Sequence, residues 1–180
     1  GNVLEHSQSK AGAILSAEYT KNSNSIRIAV ADSGVGIRET INQSYITASD
    51  LDAIKLALWP GITGTSEREG GTERNGGAGL FFVKSIARVN RDFFVIYSGK
   101  GLYKLLKTPL ASKIRLRADP FQEKHSRGKD FPSWQGTVAG VDISLDTAQD
   151  LSLVLDFVAD AYRRMAQEKR KARHKKAQFL

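Results

Sequence analysis

The chain has 180 residues, 41% hydrophobic and 26% charged, which suits one globular domain able to bury a core without disulfide or metal staples. It has no cysteine, which excludes disulfides and thiolate metal sites and points to a reducing, cytoplasmic setting, and no apolar run approaches the length of a membrane span. The net charge of +8 is concentrated, since Arg163 to Lys176 alone sums to +7, leaving a body close to neutral and a basic end.

Asn2 to about Ser9 reads as the end of a helix that would begin before residue 1. Asn2, Glu5 and His6 fall at i, i+3 and i+4 and share a face, either lining a cation or phosphate site or facing solvent. The other histidines, His125 and His174, lie far off, so no histidine cluster for a metal is indicated. Ala13–Thr20 reads as a strand, Lys21–Ser25 as a turn, and Ile26–Asp32 as a second strand in which Ile26, Ile28 and Val30 alternate with Arg27, Ala29 and Ala31. The pair predicts an antiparallel hairpin. It ends in Asp32-Ser33-Gly34-Val35-Gly36-Ile37, a carboxylate followed by glycines two and four residues on. An ionised Asp only accepts hydrogen bonds, so Asp32 could receive an exocyclic amine such as adenine N6; an ordinary Asx-plus-glycine turn has the same pattern.

Asp50–Leu58 predicts a helix with Asp50 as N-cap, stopped by Trp59-Pro60-Gly61. Gly61–Gly79 then holds seven glycines in nineteen residues, a segment costly to order unless a partner offsets the lost entropy. It leads into Leu80–Val89, a helical pattern with Leu80, Val83, Ile86 and Ala87 on one face, so Gly76 to Gly79 would stand at a helix N-terminus that favours an anion. No Gly-Lys-[Ser/Thr] follows, which excludes a P-loop, and no third glycine at position 39 completes a Rossmann fingerprint. Phe93–Ser98 and Leu102–Leu106 predict a second hairpin around Gly99-Lys100-Gly101. Ile114–Ala118 reads as a short strand, Asp119–Pro132 as an exposed loop and Gln135–Leu145 as a last strand. Beyond Asp146 a long helix runs to about Lys176, with an apolar stripe of Leu151, Val154, Leu155, Val158, Tyr162 and Met165.

Three separated signals therefore stand in order: Asn2-x-x-Glu5-His6 on a helix, Asp32-x-Gly34-x-Gly36-Ile37 after a strand, and Gly77-x-Gly79-Leu80 opening a helix behind a glycine-rich loop. Gly136-Thr137, entering the last strand, is a fourth. The ordered set resembles the ATP-binding domain shared by DNA gyrase, the ninety-kilodalton heat-shock chaperones, histidine kinases and mismatch-repair ATPases. It looks closest to the histidine-kinase-like branch, over about residues 1–146, with 147–180 as a separate basic amphipathic helix.

The resemblance implies an α/β sandwich of Bergerat type, with a mixed, mostly antiparallel sheet, helices on one face, and the long C-terminal helix added. It implies ATP and Mg²⁺ as ligands. Asn2 would hold the metal, beside Glu5 and His6. Asp32 would receive the adenine amine with Thr137 in support, and Gly34, Gly36 and Ile37 would form the turn that lets backbone approach the nucleotide. Gly61–Gly79 would be the lid, with Thr65 and Ser66 among its small hydroxyl residues and Gly77, Gly79 and Leu80 toward the phosphates. The sequence departs from the family at Glu5, where histidine kinases often carry lysine. The general base of the ATP-splitting branches would precede residue 1, which leaves Glu5 as the one nearby catalytic substitute. The expected role is an ATP- and Mg²⁺-binding signalling or regulatory domain, binding nucleotide without turning it over alone. The alternatives are an ATPase switch of gyrase or chaperone type and a degenerate protein-interaction domain. The basic helix would dock a protein partner or a second copy, with nucleic acid as a further reading.

Overall fold

The computed structural model describes residues 12–62, 78–146 and 150–177. The first hairpin forms as the alternation predicts. β1 (Ala13–Thr20) and β2 (Ser25–Asp32) pair antiparallel across one 3-10 turn at Lys21–Ser23, closed by Asn24 at φ 40°, a left-handed conformation that asparagine tolerates. The chain then passes through α1 (Gly36–Asn42), α2 (Asp50–Ala57) and α3 (Gly79–Val89) to β3 (Phe94–Gly99). Helix α1 was read only as a glycine turn. Its seven residues are too few for a periodic pattern to stand out, and it is held by Ile37 and Ile41, one turn apart and both buried.

β3 and β4 (Gly101–Leu105) form the second predicted hairpin, followed by β5 (His125–Gly128) and β6 (Trp134–Ser144). The sheet order is β1-β2-β6-β3-β4-β5. Every neighbouring pair is antiparallel, which corrects the expected mixed sheet. The helical crossover does make β2 parallel to β3, but β6 lies between them and runs against both. Two further expectations fail. Asp119–Pro132 is not all loop, since β5 pairs with β4 in a stretch, His-Ser-Arg-Gly, with no apolar alternation, its His125 ring stacking on Tyr103 of β4. Ile114–Ala118 joins no ladder: Ile114 and Leu116 turn inward while the backbone runs as a strap outside the sheet.

Cross-strand rows build the core. Ile28, Val141, Phe94 and Leu105 form one row, and Val30, Ala139, Ile96 and Tyr103 the next. Ile37 and Ile41 of α1, Ala53, Ile54 and Leu58 of α2 and its end, and Ala87 of α3 cover the β6, β3 and β4 members of these rows from one side. Full burial of each large side chain contributes roughly 1.5–3 kcal/mol. The phenol of Tyr103 is pushed above its ordinary range by burial and donates to the Pro120 carbonyl at 3.0 Å. The N-cap of α2 is Ser49, not Asp50: Ser49 Oγ accepts from the Asp52 N–H, and Asp50 instead accepts from the Lys100 N–H at 2.9 Å, tying the β3–β4 turn to the helix.

Helix α3 is buried on two sides, which explains why its predicted single face is wrong. Leu80 and Ala87 meet the sheet core, while Phe81 and Val89 meet Val154 and Val158 of α4 (Leu151–Ala177); Val83, expected inside, is exposed. In α4, Leu151 and Leu155 of the predicted stripe are likewise exposed. Between α3 and the strap, Lys84 Nζ meets Glu123 Oε2 at 2.8 Å with both side chains fully buried, and Glu123 Oε1 accepts from the Arg117 N–H. Burial lowers the Lys84 pKa, opposed by Glu123. Among the described residues no helix is long and apolar enough to cross a membrane.

Candidate functional site

The apolar rows of the sheet end in a polar one. One residue beyond the last ladder pair of β2 and β6, Ala31 with Val138, Asp32 comes beside Thr137, and Thr137 pairs in turn with Ser98 of β3. Because side chains alternate, these three lie on the same face as Val30, Ala139 and Ile96, one pleat further along. The core thus finishes in a carboxylate and two hydroxyls at one end of three adjacent strands.

Each group has a defined partner. Asp32 is buried, and its Oδ1 accepts from the Gly34 N–H at 2.9 Å, which closes the Asx turn. Among the described residues Oδ2 has no donor, so one strong acceptor remains. Ser98 is the hub: its Oγ donates to the Gly136 carbonyl at 2.7 Å and accepts from the Ile37 N–H at 2.9 Å, with Thr137 Oγ1 at 3.5 Å. One buried hydroxyl therefore holds the start of α1 against the entry of β6.

Two glycines make that approach possible. Gly36 sits at φ 82°, and a Cβ there would stand 2.9 Å from Ser98 Oγ. Gly136 sits at φ 101°, and a Cβ there would stand 2.1 Å from the Asp32 carbonyl oxygen. Both positions are conformationally and sterically restricted to glycine. At Gly36 the space is filled by the protein itself, where the sequence suggested approach of a ligand. The Trp134 indole closes the corner, its Nε1–H donating to the Asp32 carbonyl at 3.3 Å.

Among the described residues, the start of α3 has the features that favour an anion. Its N-cap residue, Ala78, makes no side-chain cap, its first turn carries no acid, and the first N–H groups of a helix have no intrahelical partner. It connects to the polar row through packing: Leu80 lies against the same core cluster as Ile37.

The structure thus brings Asp32, Gly34, Gly36, Ile37 and Thr137 into one corner, with Gly79 and Leu80 at the head of α3. Asn2, Glu5, His6, Thr65, Ser66 and Gly77 lie outside the described residues. Ser98 and Trp134 were not singled out in the sequence. A signal for Ser98 existed: Phe94, Ile96 and Ser98 alternate on one face, and a serine ending an apolar row requires a partner. No family model matches the chain, and no curated protein matches it.

Proposed function

We propose that the chain is an ATP- and Mg²⁺-binding domain of the histidine-kinase-like, Bergerat type, with adenine at Asp32 and the phosphates toward the head of α3. The observation that carries this reading is the buried Asp32 carboxylate, fixed through Oδ1 to Gly34 with Oδ2 left to accept, beside Thr137 at the end of the core. Such an acceptor suits the N6 amine of adenine and opposes the O6 acceptor of guanine. The metal is assigned to Asn2 by the resemblance alone, and none of the described residues is given that role. Calorimetry with ATP, GTP and Mg²⁺ is the test. ATP is expected to bind in preference to GTP, and Asp32→Ala to weaken ATP at least about tenfold, the equivalent of 1.4 kcal/mol. Unchanged affinity in that variant would sink the assignment.

The switch reading is favoured by one contact set. The Tyr162 ring of α4 lies 5.8 Å from Phe81 and 5.7 Å from Phe82 at the start of α3. Its hydroxyl is 4.0 Å from where a Cβ on Gly61 would stand. One side chain thus packs on the first turn of α3 and lies near Gly61, so α4 is placed to sense a nucleotide at the head of α3. Incubation with γ-labelled ATP separates binding from turnover: binding with neither phosphate release nor self-labelling is the expected result.

A further inference from the structure

The two edges of the sheet are built differently. β5 closes one side with four residues, His-Ser-Arg-Gly, set between the exposed Lys124 and Lys129 and carrying the exposed Arg127. A short, cationic edge resists further pairing, because an incoming strand would have to lie against those charges. β1 closes the other side with eight residues, Ala13–Thr20, and no described strand lies beyond it. It holds no proline and no cation, and its register with β2 runs unbroken over all eight pairs, with no bulge. Seven of its residues are exposed, Ile14, Leu15 and Tyr19 among them. Apart from the single charge of Glu18, β1 has none of the devices that keep an edge strand solitary.

We propose that β1 pairs antiparallel with β1 of a second copy, joining two six-stranded sheets about a two-fold axis through Ala17. Directly opposite residues of an antiparallel pair point to the same face. A two-fold axis perpendicular to the sheet therefore passes through a residue that faces its own copy, and the choice of that residue fixes the register. With Ala17 on the axis, residues 14–20 are all paired. On one face Leu15 meets Tyr19 of the second copy; on the other Ser16 meets Glu18 and Ile14 meets Thr20, each contact occurring twice. An aliphatic–aromatic pair stabilises a sheet, and the lone carboxylate lies against a hydroxyl. The other registers are poorer. An axis at Leu15 shortens the pairing to residues 13–17, one at Ser16 sets Ile14 against Glu18, and one at Glu18 sets two carboxylates against each other. The strand is thus complementary to itself in one register, which makes a second copy its occupant.

The length of the strand sets the strength. Eight residues span about 26 Å, and a single strand edge falls at the small end of specific interfaces, so the dimer is weak, with a dissociation constant of about 1 to 100 μM. Pairing through the edge extends the sheet and leaves the faces of both hairpins open, apart from the cross-strand pairs themselves. In the β1–β2 register Ala13 stands opposite Asp32, so the two-fold puts the two Asp32 corners at opposite ends of the joined strands and on the same face. The dimer does not occupy the corner and does not rest on the nucleotide reading.

The test is sedimentation velocity of the full chain from about 1 to 200 μM, where a monomer–dimer equilibrium is expected. Ala17→Lys sets two lysines against each other on the axis, and Ala17→Glu two carboxylates. Each variant should dimerise about fivefold more weakly than the parent, and an equimolar mixture of the two should recover or exceed the parent's association. Ser16→Lys, which places its cation against Glu18, should tighten the dimer by about twofold or more, and it carries the test if the Ala17 variants lose their circular dichroism spectrum. Ser126→Lys, on the other edge, should change nothing. The proposal is overturned by Ala17 variants that keep their fold and associate like the parent, by a mixture that recovers nothing, or by weaker association in Ser16→Lys. It is also overturned if Leu153→Ser with Phe157→Ser abolishes an association that Ala17→Lys leaves intact, which would move the interface to the exposed flank of α4. A chain monomeric throughout the range overturns it as well, and dimerisation gained on removing residues 2–10 would then assign the edge to that segment.

Discussion

The hairpins β1–β2 and β3–β4 both alternate apolar residues, yet Leu15 and Tyr19 of the first are 69% and 57% exposed, while Ile96 and Tyr103 of the second are 0% exposed. The register places all four on the same side of the sheet. What differs is cover. Helices α1 to α3 land on β6, β3 and β4, and β1 lies at the far edge, beyond their reach. Alternation states which residues share a face, but whether that face is buried depends on where distant helices come to rest. The polar row of Asp32, Thr137 and Ser98 stands at the rim between these regimes, enclosed enough to fix its hydrogen bonds.

The contrast can be broken most forcefully inside the covered region. Phe94→Ala should cost about 3–5 kcal/mol through the cavity it leaves. Lys84→Met should cost a similar amount, about 3–5 kcal/mol, because Glu123 would stay buried without its cation. Urea unfolding midpoints measure both, and a loss below 1 kcal/mol in either would show that the α3 region is looser than described.

At the rim the expected effects are intermediate. Gly136→Ala forces a side chain into a left-handed position against the Asp32 carbonyl and should cost about 1–3 kcal/mol, with ATP affinity falling alongside stability. Ser98→Ala leaves the Ile37 N–H and the Gly136 carbonyl without the hydroxyl that joins them, at about 1–3 kcal/mol. Comparing ATP with GTP in the Ser98 variant sharpens the reading. A weakened preference for ATP means that the serine positions the Asp32 corner, whereas an unchanged preference confines it to stability.

The smallest effect belongs to the uncovered hairpin. Leu15→Ser should shift stability by no more than about 0.5 kcal/mol, as for an ordinary surface site. A cost above 2 kcal/mol in the same unfolding assay would show that this face is covered in solution and would end the comparison.

Local chemistry was enough to read both hairpins, the helices at 50–57 and 79–89, the last strand and the long terminal helix, because alternation and helical spacing are written into neighbouring residues. It was also enough to mark Asp32 and Gly36, since a carboxylate and glycines at a strand end form a short-range pattern, whereas Thr137 was singled out by the family resemblance alone. Short-range signals do not extend to pairing partners. Only the tertiary structure placed β6 between β2 and β3, recruited His125 to Gly128 as an edge strand, and buried α3 on two faces, because these depend on contacts between residues far apart in the chain. It alone made Ser98 the hub of the corner, through bonds to Ile37 and Gly136 that lie 61 and 38 residues away. Charge followed the same rule: the sequence determined the near-neutral sum of the body, and folding turned Asp119 and Glu123 toward internal lysines and left the cations between Lys104 and Arg127 outside.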